Sequence, residues 1–86
     1  MLVSQQVRAA RHALRWTVQE LAAASNLSVS TIKRLETSEG SPNISAVNLE
    51  SIRVAFEAAG IEFVGTPNDA PGIRIHAQGG DRDKER

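Results

Sequence analysis

Residues 16–36 read WTVQELAAASNLSVSTIKRLE, and their pattern decides the fold. Thr17 is a good N-cap, and Glu20 three residues later completes a capping box. Val18, Leu21, Ala22 and Ser25 then share one helical face. Ala22 is small enough to let a second helix cross closely. Asn26 sits where the chain must turn sharply, since asparagine is the non-glycine residue that best tolerates a left-handed backbone. Leu27 plugs that turn into the core. Ser28 caps the next helix, expected over about Val29 to Ser38. There Ile32 and Leu35 point inward, while Val29, Ser30, Lys33, Arg34 and Thr37 cluster on the opposite side.

Working outward, a preceding helix is expected from about Ser4, a candidate N-cap, to Leu14, with Val7, Ala10, Ala13 and Leu14 as its apolar stripe. Trp16 closes that segment and packs under the following helix. After Gly40 stops the third helix, Ser41-Pro42-Asn43 carries the chain away, and a fourth helix runs over about 46–59 with Leu49, Ile52, Val54 and Phe56, ended by Gly60. The period then changes. Ile61 and Phe63, then Ile73 and Ile75, alternate with polar neighbours around a loose loop over 65–72, which predicts a β-hairpin. A two-stranded ribbon is marginal alone, so it must pack on the fourth helix or pair with a second chain. The division expected is a helical domain over 1–60, a hairpin over 61–77 and a disordered, charged tail over 78–86.

The 86 residues allow one small core, and the absence of cysteine removes disulfides and thiolate metal sites. His12 and His76 stand far apart without clustered partners, so neither a metal nor a cofactor is expected. No serine has a histidine–carboxylate pair placed near it, and no lysine or helix start follows the glycines of 60–72, so no enzyme is expected. No apolar run approaches the length of a membrane span, and the N-terminus lacks a signal segment, which predicts a cytoplasmic protein. Net charge is zero, yet it is polarised. Residues 1–37 carry Arg8, Arg11, Arg15, Lys33 and Arg34 against Glu20 and Glu36, whereas 38–70 carry Glu39, Glu50, Glu57, Glu62 and Asp69 against Arg53. Binding follows the local field rather than the sum.

Two short helices joined by a tight turn, the second with a cationic outer face, form a helix-turn-helix unit, whose second helix lies in the major groove of DNA. On this reading Val29, Ser30, Lys33 and Arg34 meet base edges: the cations at guanine, serine at either base type, valine at a thymine methyl. Thr17, Gln19, Ser28, Thr37, Ser41 and Asn43 are expected to contact the DNA backbone, helped by the free N–H groups at helix starts. The plainer alternative is an amphipathic helical hairpin with a solvated basic face.

Residues 6–63 resemble the phage repressor and Cro-like, or XRE, family of regulators. The likeness rests on Arg8 and Arg11, Trp16, Glu20-Leu21-Ala22, Leu27-Ser28, the run from Ser30 to Glu36 and the closing EAAGIEF; that last piece with PGIRI is similar to a small subgroup in which a β-hairpin follows. The resemblance implies a mainly α, lambda-repressor-like bundle of four or five helices with a short C-terminal β-hairpin, double-stranded operator DNA as partner, and a homodimer. It also implies an ion pair between Arg11 and Glu36 that fixes the recognition helix. The chain departs from the family in having Val18 where a glutamine amide usually contacts a phosphate and braces the recognition helix, and Asn26 where the turn usually has glycine.

These readings lead to a transcriptional regulator, expected to be a repressor bound to a palindromic operator. Dimer contacts are expected from Phe56, Ile61, Phe63, Ile73 and Ile75. The other function class left open is a protein-binding module, an antiactivator or antitoxin-like protein reusing the same fold.

Overall fold

The computed structural model describes residues 2–37 and 44–76, within which four helices precede a two-stranded sheet. Helix α1 (Ser4–Ala13) begins after Val3, whose extended backbone N–H donates to Gln6 Oε1 at 3.0 Å. Ser4 is not the cap that its position suggested. Its buried hydroxyl donates instead to the Leu35 carbonyl at 2.7 Å, so a distant acceptor wins over the local one.

Helices α1 and α2 (Val18–Ser25) end in the same way. After α1, Arg15 takes φ 58° while the N–H groups of Arg15 and Trp16 donate to the carbonyls of His12 and Arg11. After α2, Asn26 takes φ 60° while the N–H groups of Asn26 and Leu27 donate to Ala23 and Ala22. Each is a Schellman cap, and each delivers a large apolar residue, Trp16 or Leu27, onto the core at the next position. Asparagine bears the left-handed backbone readily, whereas for arginine it costs roughly 1–2 kcal/mol.

Thr17 and Glu20 close the capping box at α2, with hydrogen bonds of 2.7 and 3.0 Å. At α3 (Val29–Thr37), Ser28 Oγ accepts from the Thr31 N–H at 3.1 Å. Helix α4 (Ala46–Ala58) is capped by Ser45 and stops before Gly60, which takes φ 98°. The core between these helices is built from Val7, Ala10, Leu21, Ile32, Leu35, Ile52 and Phe56, all fully buried. Ala10 and Ala22 are the small residues that let the helices approach. Val54 is 52% exposed, so it belongs to the outer face of α4 rather than to the core.

The hairpin is longer and tighter than its sequence suggested. Strands β1 (Ile61–Thr66) and β2 (Asp69–Ile75) run through most of the segment expected as a loose loop, leaving only Pro67 and Asn68 between them. Ile61 pairs with Ile75 and Phe63 with Ile73, and an irregularity between Val64 and Thr66 sets Gly65 (φ 80°) opposite two residues of β2, Ala70 (φ 53°) and Pro71. The apolar face of this ribbon lies on the helices. Phe63 meets Phe56 edge-on at 5.7 Å between centroids, and Phe56 stacks on Trp16 at 5.6 Å. From α1, the Gln6 amide donates to the carbonyls of Val64 and Gly72 at 3.1 and 2.9 Å. This packing corrects two expected interface residues. Phe56 and Ile61 are 0% and 1% exposed and so belong to the protomer's own core. A ribbon unable to stand alone has taken its partner from α4.

The two strand glycines provide a test. A Cβ at Gly65 would lie 2.2 Å from the Ala70 carbonyl oxygen, whereas one at Gly72 would meet Val64 Cγ2 at an ordinary 3.7 Å. Gly65→Ala should therefore lower stability by about 2 kcal/mol in urea denaturation, and Gly72→Ala by less than about 0.5 kcal/mol. Equal losses would contradict the turn geometry described.

Candidate nucleic-acid interface

The outer face of α3 depends on what its inner face is tied to. Glu36, one turn beyond the buried Ile32, points back toward α1. There Arg11 Nε and Nη2 donate to its two carboxylate oxygens at 2.7 and 2.9 Å, a bidentate pair. The side chains are 14% and 8% exposed, well removed from water. Hydrogen bonding to Glu36 raises the Arg11 pKa above its ordinary value. Arg11 Nη1 also donates to the Trp16 carbonyl at 3.0 Å, so one guanidinium joins α1, α3 and the turn leading into α2.

With Ile32, Leu35 and Glu36 held inside, helical spacing turns Ser30, Lys33 and Arg34 to the surface, and all three are exposed. Val29 differs from expectation: it is half-buried against the core, because the first turn of α3 sits close to α2. Only part of its side chain faces outward. Thr17 and Gln19 are exposed at the first turn of α2, as is Ser28 at the start of α3. The first-turn amides of both helices have no carbonyl partner within their own helix, which suits them to an anion. Thr37 is exposed, but its hydroxyl donates to the carbonyls of Lys33 and Arg34 at 3.0 and 3.2 Å, so its single proton is engaged within α3. Ser41 and Asn43 lie outside the described residues, as does the charged tail.

The charge polarity survives folding in altered form. Arg8 donates to the Glu36 carbonyl and Arg11 to its carboxylate, so these two front cations serve internal contacts. Arg15, Lys33 and Arg34 remain exposed. On the acidic side Arg53 pairs with Glu50 and Glu57, and Glu62 pairs with Arg74 and His76. The hydrogen bond from Arg53 holds the Glu50 carboxyl below its usual range, and that from His76 does the same for Glu62. Among the described residues no group of histidines and carboxylates could hold a metal ion, and no helix is long and apolar enough to cross a membrane.

Sequence reading passed over Ser4, Gln6 and Arg8 as structural contacts. The signal was available: Ser4 shares the face of Val7 and Arg11, and a polar side chain on an apolar stripe needs a hydrogen-bond partner.

A family model described as a helix-turn-helix domain matches residues 3–56, more than half of the chain. The chain belongs to the helix-turn-helix domain family. No curated protein matches it. The matched segment runs from the start of α1 to Phe56 in α4 and contains the Arg11–Glu36 pair and the whole exposed face of α3. This helix-turn-helix protein is accordingly a DNA-binding regulator, of a kind that typically carries no enzymatic activity. The hairpin lies beyond the matched segment.

Removing Glu36 would leave the Arg11 charge partly buried without its counter-ion. Glu36→Ala should cost roughly 3 kcal/mol in urea denaturation. Glu50→Ala, which breaks an exposed pair, should leave the midpoint unchanged within error. A loss below about 0.5 kcal/mol for Glu36→Ala would show that the pair does not hold α3.

Proposed function

We propose that this helix-turn-helix protein is a sequence-specific transcriptional repressor of the phage repressor and Cro-like kind, binding a palindromic operator as a homodimer in the cytoplasm. One observation carries the reading: Ser30, Lys33 and Arg34 project from α3 opposite Ile32, Leu35 and Glu36, on a helix anchored from behind. Lys33 and Arg34 supply donors for guanine O6 and N7, Ser30 serves either base type, and the exposed part of Val29 meets a thymine methyl. Thr17, Gln19 and Ser28 position the protein on phosphates through hydroxyl, amide and first-turn N–H groups. With Val18 in place of the usual glutamine, more of that work falls to Gln19.

Two-fold pairing places the recognition helices about 34 Å apart, one turn of DNA. Its surface is drawn from what folding leaves outside: Ile75, 63% exposed, with the outer parts of Phe63 and Ile73 beside it. Val47 and Val54 on the outer face of α4 are also exposed, at 75% and 52%, and they favour a second reading. That reading is a module gripping another protein through α4, as an antiactivator or antitoxin does.

Salt separates the two readings. Affinity for operator DNA should fall by roughly 10³-fold or more between 50 and 200 mM salt if about six phosphates are contacted, through counterion release. An apolar protein–protein contact should barely change. Within the DNA reading, Arg34→Ala should cost roughly 1–3 kcal/mol on the selected site and relax preference at one base pair, while Gln19→Ala should weaken all sequences alike. Uniform losses from both variants, measured on sites selected from random DNA, would refute this division of roles.

A further inference from the structure

Three donors on one face of α1 converge on two consecutive residues in the last turn of α3. Ser4 Oγ donates to the Leu35 carbonyl at 2.7 Å, Arg8 Nη1 to the Glu36 carbonyl, and Arg11 to the Glu36 carboxylate. The Thr37 hydroxyl covers the Lys33 and Arg34 carbonyls just before them. The last carbonyls of a helix have no partner within it, and a cation there also complements the helix dipole. At α3 the Leu35 and Glu36 carbonyls accept from side chains of another helix.

We propose that Ser4 and Arg8 are positioning residues for DNA reading, setting the angle at which α3 meets the groove. The Arg11–Glu36 pair reaches α3 through a side chain, whereas Ser4 and Arg8 hold its backbone directly. Ser4 lies seven positions before Arg11, about 10 Å along α1 at 1.5 Å per residue, and Arg8 lies between them. Anchoring from three positions of α1 fixes the last turn of α3 at two consecutive residues, and two of those anchors grip main-chain atoms of α3, which no change in its outward side chains removes. Ser4 is 1% exposed and touches no solvent, so its contribution to DNA binding runs wholly through α3. This inference rests on the DNA-reading proposal, since it says what keeps Ser30, Lys33 and Arg34 in register with base edges.

Ser4→Ala and Arg8→Met, which keep the fold's volume nearly unchanged while removing the donors, are compared with Arg8→Lys, which retains a cationic donor. Binding of the full chain is measured to the site selected from random DNA and to a scrambled duplex, under conditions where urea denaturation shows each variant folded. Ser4→Ala and Arg8→Met should each lose tenfold or more on the selected site and less than twofold on the scrambled duplex, with the slope of log affinity against log salt unchanged. Arg8→Lys should recover most of the loss. Equal losses on both duplexes overturn the inference, as does a slope reduced by about one in Arg8→Met, which would make Arg8 a phosphate contact. Unchanged binding by both variants overturns it too.

Hydrogen exchange of the free protein separates this failure from failure of the DNA reading itself. Ser4→Ala should speed exchange of the α3 amides at least tenfold more than those of α4. Uniform change would overturn the positioning role, whatever DNA the protein selects.

Discussion

Glu36 cannot face water and also keep α3 in place. It lies on the inner side of the helix with Ile32 and Leu35, and burying a carboxylate there is tolerable only because Arg11 meets both of its oxygens. That pairing decides which way α3 is turned. Once Glu36 faces α1, helical spacing leaves Ser30, Lys33 and Arg34 no direction but outward. The same guanidinium holds the Trp16 carbonyl, which brings the start of α2 into the arrangement. The exposed face of α3 thus follows from what is buried on its opposite side: Ile32, Leu35 and the carboxylate that Arg11 makes tolerable there.

Helix α1 holds two other parts of the fold through its polar side chains. Its polar residues are directed to two places: Ser4, Arg8 and Arg11 toward the end of α3, and Gln6 toward the hairpin at Val64 and Gly72. An apolar α1 could bury as much area, but hydrophobic contact is non-directional and would fix neither element's angle. Hydrogen bonds to main-chain carbonyls do so at a cost in desolvation that each partner offsets. The family match includes α1 and ends within α4, before the hairpin, which Gln6 of α1 holds to the helices.

Electrostatic polarity and the apolar pattern both changed meaning on folding. Two arginines of the cationic front became structural, and the acidic residues Glu50, Glu57 and Glu62 acquired internal partners. The exposed charges on α3 itself are Lys33 and Arg34. Among apolar residues, Val54 lies on the exposed side of α4, while Phe56 and Ile61, expected at a dimer interface, are buried in the protomer's core.

What the residues determined by themselves was local. The Thr17–Glu20 box, the left-handed Asn26, the cap at Ser28 and the alternation around Ile61 and Ile73 are written in neighbours a few positions apart, where backbone geometry leaves few choices. The four helices, the hairpin and the outward face of α3 were legible for that reason. The tertiary structure alone decided that Ser4 would serve Leu35 rather than cap its own helix, and that Gln6 would reach residues 58 and 66 positions away. It also decided that Ile61 and Phe63 of the hairpin would pack on the protomer's own helices while Ile75 stays exposed. A hydroxyl or amide carries no mark in sequence of which distant carbonyl it will meet, because that choice is made by how the helices cross.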